Sequence, residues 1–420
     1  MFLDRIRQRN PELIRAATLL HRTGDIPAST WVIDLDVIAE NASILAETAR
    51  ANGLETYVMT KQHGRNPLVT RIAMDRGLGA PVAVDVQCAK ALYRYGIPIG
   101  HVGHLNQIPF HETREVVDMQ PEVFTVYNFE RAAAVSEAAA KLGRVQAIML
   151  RVIGREDVFF EGQEGGVPEE ELEETARRIA TLKNVRIVGT TSFPCIRYNP
   201  TPDITVEPNP NMATIVRAAH KLREMGFPIT QINAPGNTSS QTLPVIARAG
   251  GTHAEPGHGL LGTTPNHAFL EGLPERPSYL YLSEVSHYVG QRAYCFGGGF
   301  WQDIYNPDFV HRAVVGSDPQ TITDRVVKSV SKNQIIDYHG ILESKEGIRI
   351  GDTVIFGFRT QMHMTRCQVA VLQGAQSGRP RLAALFDHAG TMIDRGRIPV
   401  PMAEAKEVIE RVSREYRTRV

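Results

Sequence analysis

The sequence lacks several features that would fix its chemistry at once. Only four cysteines occur in 420 residues, Cys88, Cys195, Cys295 and Cys367. No two of them form a CxxC pair, so neither a disulfide scaffold nor a thiolate zinc site is suggested. There is no surplus of either charge: 46 basic and 46 acidic residues leave a formal net charge of zero. That balance removes the electrostatic motive for a nucleic-acid or anionic-membrane partner. No apolar run approaches the length of a membrane span, and the opening MFLDRIRQRNPELI lacks the continuous apolar stretch of a secretion signal. A cytoplasmic protein without a membrane partner is expected. Low-complexity segments and fixed-period repeats are missing too.

What is present is an ordinary globular composition, 42% apolar and 22% charged, far from disordered compositions. The length predicts a barrel-sized domain of roughly 200–250 residues and a second, smaller unit. Residues 1–25 read as one amphipathic helix. Thereafter short apolar strands (TYVMT, APVAVD, HVGHL, VFTVY, AIMLRVI, IVGTTSF, TQINAP, GGTHAEPG) alternate with helical stretches such as ERAAAVSEAAAKLG. Eight strands with interspersed helices predict an α/β fold, a closed parallel (β/α)8 TIM-like barrel, with a doubly wound sheet as the alternative. After about residue 275 the runs YLYLSEVSHYVG, QRAYCFGGGF, GDTVIFGF and MTRCQVAVLQ follow one another with little helix between them. They predict a mostly antiparallel β domain closed by the helix MAEAKEVIERVSREYRT. The expected boundaries are 1–33 for an N-terminal helix and strand packing with the C-terminal domain, 34–275 for the barrel, and 276–420 for the β domain.

Reactive residues of such a barrel gather where its strands end. Lys61 closes the first barrel strand in YVMTKQHGRNP. A surface lysine is the plainer reading of position alone, but a lysine ending an inward apolar run is costly unless used. Partly desolvated, it loses basicity and becomes a competent amine for a Schiff base. Late in the barrel, NAPGNTSSQT presents small hydroxyl side chains at a turn, and GGTHAEPGHGLLGTTP is glycine-rich enough for backbone to approach a ligand. An amine followed by two anion-friendly turns suits a phosphate-bearing aldehyde cofactor, though ordinary helix caps would look similar.

Taken in order, these motifs resemble the fold-type III pyridoxal-phosphate (PLP) enzymes, the group of alanine racemase, D-threonine aldolase and D-serine dehydratase, and within it the YhfX-like branch. The resemblance spans nearly the whole chain, from IPASTWVIDLDVIAENA through TKQHGRNP, LRVI, GQEGGV and VGTTSFPC to EPGHGLLG. It implies PLP as cofactor, an alanine racemase N-terminal-type barrel, and Lys61 as the Schiff-base lysine beside His63. It places Asn237, Thr238, Ser239, Ser240, Gly257 and His258 around the phosphate, and Phe193 where the racemases pack a histidine on the cofactor. Glu255 takes the position of the racemase arginine that faces the pyridine nitrogen. Gln163 replaces the arginine near the cofactor phenol oxygen. The zinc-binding H-x-C of the dehydratases falls at about Thr360 and Met362, so no metal is expected, His363 leaving a small opening.

The implied function is racemisation or epimerisation of an amino acid at Cα through an external aldimine and quinonoid intermediate. An aldolase or dehydratase is the alternative. Lys61 serves one face, and a second acid/base arrives from the β domain of a neighbouring subunit, with His339, His287 and Tyr294 as candidates. A homodimer with shared active sites and an amino-acid-like substrate follow. Cys195 and Arg197 could instead line the substrate side. Two other classes compete: a metal-dependent barrel hydrolase built on His253, Glu255 and His258, whose Pro256-Gly257 breaks helical ligand spacing, and a PLP carrier without turnover.

Overall fold

The computed structural model describes residues 1–199, 205–300, 311–331, 337–359 and 361–418. The chain divides into two compact units, one of residues 1–41, 62–72 and 260–420, the other of 42–61 and 73–259.

The second unit is a ring of parallel strands. Its hydrogen-bonded order runs from Glu55–Thr56 through His253–Ala254, Gln231–Asn233, Val185–Thr191, Gln146–Ile153, Val123–Val126, His101–Val102 and Pro81–Ala83 to Val58–Met59. The two end segments are consecutive in sequence, separated by Tyr57 alone. Tyr57 N–H bonds to Ala254 and Val58 N–H to Ala80, so the ring returns on itself. This is the nearly closed α/β barrel expected from the alternating pattern. Its strands are short and almost wholly buried, as parallel strands covered by helices must be. Gly189 marks one tight point: a Cβ there would stand 2.5 Å from the Gln231 carbonyl oxygen.

The other unit is a mostly antiparallel sheet. Its order is Val326–Lys328, Arg312–Gly316, Thr353–Phe356, Tyr279–Val289, Thr30–Asp34, Gln368–Gln373, Arg381–Phe386, Met392–Ile393, with Arg292–Phe296 added beside Tyr279–Val289 and His339–Leu342 beside Arg292–Phe296. The pairing of Thr30–Asp34 with Gln368–Gln373 is parallel. Leu13, Ile14, Leu20, Val32, Leu280 and Ile355 share its core. The single N-terminal helix expected over 1–25 is in fact two, Phe2–Arg9 and Pro11–Arg22. The break lies at Asn10-Pro11, because proline offers no N–H to continue a helix yet suits a first turn. Asn10 caps the second helix, its Oδ1 accepting from Leu13 N–H at 3.2 Å. The closing helix is Met402–Arg417. Among the described residues no helix is long and apolar enough to cross a membrane.

Candidate active site

Successive barrel strands deliver polar groups at one end, the C-terminal one. Lys61 stands two residues beyond Val58–Met59, in the 3-10 turn Lys61–His63. His104 follows His101–Val102, Phe193 follows Val185–Thr191, Asn233 ends Gln231–Asn233, and Glu255 follows His253–Ala254. Arg151 lies near the end of Gln146–Ile153.

Glu255 is the centre of this set. Its Oε1 accepts from Asn233 Nδ2 at 2.7 Å and from His101 Nδ1 at 2.9 Å. His101 is fixed in turn by Thr125 Oγ1, 2.6 Å from Nε2. Oε2 is buried with no hydrogen-bond partner, 3.9 Å from His104 Nε2. Burial raises the carboxyl's pKa, but the imidazoles of His104 and His101 and the amide of Asn233 outweigh it and hold the pKa at about 2. The group is therefore a carboxylate with one oxygen engaged twice and the other buried without a hydrogen-bond partner. The ligand atoms of His101, His104 and Glu255 lie within 4.8 Å of one another, so their geometry would also admit a metal. The competing metal motif does not assemble in that form: His253 and His258 are outside this group. His253 stacks on Tyr57, ring centroids 5.5 Å apart.

Lys61 Nζ lies 5.6 Å from the centroid of the Phe193 ring. The edge of His104 meets the same ring, with centroids 6.1 Å apart at 89°. The lysine and the Glu255 cluster thus flank one aromatic ring. The hydroxyls of Thr238 and Ser239 are buried without hydrogen-bond partners. Their loop is tied by Thr242 Oγ1, which accepts from Ser239 N–H at 2.7 Å. Gly236 and Asn237 adopt the left-handed region, with φ of 132° and 48°, which favours glycine and tolerates asparagine. A Cβ on Gly259 would stand 2.2 Å from the Thr238 carbonyl oxygen, so the two turns touch backbone to backbone. Gly257 and His258 sit buried in the second turn. Orphaned hydroxyls, an orphaned carboxylate oxygen and a nearby amine fit the donor set of a phosphorylated pyridine aldehyde.

Other expected residues are placed differently. His63 belongs to the sheet unit, where its Nε2 meets Thr70 Oγ1 at 3.0 Å, and burial lowers its pKa to about 3. The backbone oxygen of Gln163 accepts from Arg151, while its own Oε1 has no partner. Cys195 is buried, its thiol pKa pushed up by desolvation, and Arg197 pairs with Glu207 at 2.7 Å on an exposed hairpin. Met362 is buried and Thr360 lies outside the described residues. His287, Tyr294 and His339 do cluster within the sheet unit. His287 stacks on Tyr294 at 4.9 Å and meets His339 edge-on at 5.0 Å. Burial and the charge of His287 both lower the His339 pKa.

Four polar groups of the site are absent from the sequence reading: Arg151, His101, His104 and Asn233. Arg151 is fully buried and donates to the His104 carbonyl at 3.2 Å, to Tyr127 Oη at 2.9 Å and to Gln163 O. A charge inside AIMLRVI and two histidines in HVGHL were the available signals, since strands buried on both faces normally exclude such residues.

Residues 33–265 match the family described as alanine racemase, N-terminal domain, and residues 280–382 match YhfX-like, C-terminal domain. The chain belongs to this family, the fold-type III PLP enzymes. It is 38% identical over 394 residues, 94% of this chain and 100% of the relative, to the uncharacterized protein YhfX of Escherichia coli (strain K12). Among solved structures it resembles D-threonine aldolase from Filomicrobium marinum, with a TM-score of 0.65, 14% identity and coverage of 89% of this chain and 97% of the other. Alanine racemase from Corynebacterium glutamicum gives 0.56 at 16% identity, covering 79% and 90%. D-threo-3-hydroxyaspartate dehydratase from Delftia sp. HT23 gives 0.63 at 15%, covering 86% and 97%. At these identities the likeness is one of fold.

Proposed function

We propose that the protein is a PLP-dependent amino-acid racemase or epimerase acting at Cα. The observation that supports it most is the Glu255 carboxylate, half engaged and half orphaned, in the unit that sets Lys61 over Phe193. When bound, PLP supplies an electron sink that makes the Cα proton of an attached amino acid removable. Lys61 would hold the aldehyde of PLP, and Phe193 would support one ring face. Thr238 and Ser239, with Asn237, Ser240, Gly257 and His258 beside them, would hold the phosphate. Glu255 would face the ring nitrogen, where a carboxylate accepts a proton-bearing nitrogen and an arginine cannot. Arg151, through Gln163 and the His104 carbonyl, would brace the rim. Lys61 would also be the base that takes or returns the Cα proton on its own face.

Racemisation needs an acid/base on the opposite face as well. His287, Tyr294 and His339 are assigned that role from the β domain of a second copy, giving a homodimer with shared sites, an amino-acid-like substrate and a cytoplasmic setting. The second reading is a D-amino-acid aldolase or dehydratase, for which Lys61 and Glu255 serve equally and one base suffices.

The test is incubation of PLP-loaded protein with D- and L-amino acids in deuterated water, read by mass spectrometry. Label at Cα without fragmentation supports racemisation, and fragmentation products support a lyase. No exchange with any substrate would count against both. Borohydride should fix PLP on the peptide carrying Lys61, and Lys61→Ala should abolish that fixation.

A further inference from the structure

We propose that His104 is a direct hydrogen-bond partner of the polar edge of the bound pyridine, its ring nitrogen and phenol oxygen, acting beside Glu255. The inference rests on the PLP reading above and names a residue that motif comparison did not reach. Among the described residues, both ring nitrogens of His104 are buried and without a hydrogen-bond partner. A buried polar group left unpaired costs about 1–3 kcal/mol, and native proteins keep few such groups without a purpose. Here two stand on one ring, in a histidine whose backbone is held firmly. Its carbonyl accepts from Tyr127 Oη at 2.7 Å and from Arg151 Nη1 at 3.2 Å.

The surroundings say which kind of ligand completes it. Nε2 lies 3.9 Å from Glu255 Oε2, itself an orphaned acceptor, so the two unmet atoms are neighbours that one polar ligand edge could meet together. The His104 ring stands edge-on to Phe193, over which Lys61 Nζ also stands, and it tilts against His101 with centroids 5.2 Å apart. A flat ligand resting on Phe193 and tethered to Lys61 would bring its edge to His104 and Glu255 together. An imidazole has two ring nitrogens on opposite edges, and neither of those of His104 is used within the protein, so the ring is placed to meet a polar atom of a ligand.

The experiment compares wild type with His104→Phe and His104→Gln, with PLP as the probe. PLP affinity is measured by dialysis, and the visible band of the lysine-bound cofactor is followed against pH. His104→Phe keeps the ring volume and should weaken PLP binding about tenfold, one hydrogen bond's worth, and shift the pH midpoint of the band. His104→Gln, which retains a donor and an acceptor, should recover part of both. A second measurement spares the fold: histidine-ring nitrogen resonances of wild type, with that of His104 assigned by its loss in His104→Gln, should move when PLP is added.

If wild type binds PLP while both variants keep its affinity and spectrum and the resonance stays still, the inference fails and the PLP reading stands. If wild type yields no PLP fixed to Lys61, both fall. If Co2+ added to PLP-free protein gives the absorption of a tetrahedral site that His104→Phe abolishes, His104 belongs to a metal site instead and the inference is overturned.

Discussion

Arg151 is fully enclosed in the barrel, and its guanidinium spends its donors on three different segments: the His104 carbonyl, the Tyr127 hydroxyl and the Gln163 backbone. Replacing it with methionine keeps much of the volume but leaves those acceptors unmet. Arg151→Met should therefore destabilise the fold by roughly 2–4 kcal/mol, read as a lower midpoint in urea, and should loosen PLP binding as the rim relaxes. Glu255→Gln tests a different property. It is nearly isosteric but removes the charge, so exchange of the Cα proton should slow by on the order of 100-fold with little change in unfolding midpoint. Equal exchange rates in the two proteins would remove Glu255 from the chemistry. At this scale the sequence marks Lys61 and Glu255 as candidates, because each follows a strand within a recognisable motif. His104 and Arg151 sit within or just after apolar strands, where their polarity is a local signal of use, but the partners that each one meets lie far away in sequence and are not legible there.

The elements carry a sharper constraint than their lengths suggest. The turns at Asn237–Thr242 and Gly257–Gly259 meet through backbone, because Gly259 leaves no room for a side chain beside the Thr238 carbonyl. Gly259→Ala should push the turns apart and reduce PLP affinity about tenfold or more by moving the Thr238 and Ser239 hydroxyls, an outcome equilibrium dialysis would show. The alternation of short apolar strands with helices made the barrel legible, since a repeated βα pattern has few topologies open to it. The split of the N-terminal helix was harder to read. Apolar periodicity runs through Asn10-Pro11, and only the capping chemistry of that pair shows that the chain turns.

For the whole molecule, protonation sets a limit that composition does not show. Burial lowers the imidazole pKa of His21 and His253 to about 4 and of His63 and His104 to about 3, against an ordinary 6.5. As pH falls below about 6.5 the unfolded chain takes up these protons while the folded chain does not, so stability is full above that value and declines towards pH 4. Asp34 acts in the opposite sense: burial raises its pKa to about 6, so folding gains from its proton between about pH 6 and 4. Each fully buried group contributes up to about 1.4 kcal/mol per pH unit, and four histidines outweigh one carboxyl. The urea midpoint should fall between about pH 7.5 and about pH 5; an unchanged or rising midpoint would contradict the burial of these rings.

The strand Thr30–Asp34 lies between Tyr279–Val289 on one side and Gln368–Gln373 on the other. On the ribosome that arrangement becomes a matter of waiting. Thr30 emerges 338 residues before its partner Gln368, and Ile33 emerges 246 before Tyr279. The whole barrel is therefore synthesised while Trp31, Val32 and Ile33, fully buried in the finished protein, have nothing to pair with. Contacts so distant in sequence form late and leave apolar strand edges open meanwhile. A message truncated before residue 279 would release the barrel with an unpaired apolar strand attached, and such a fragment should accumulate as aggregate rather than as a working half.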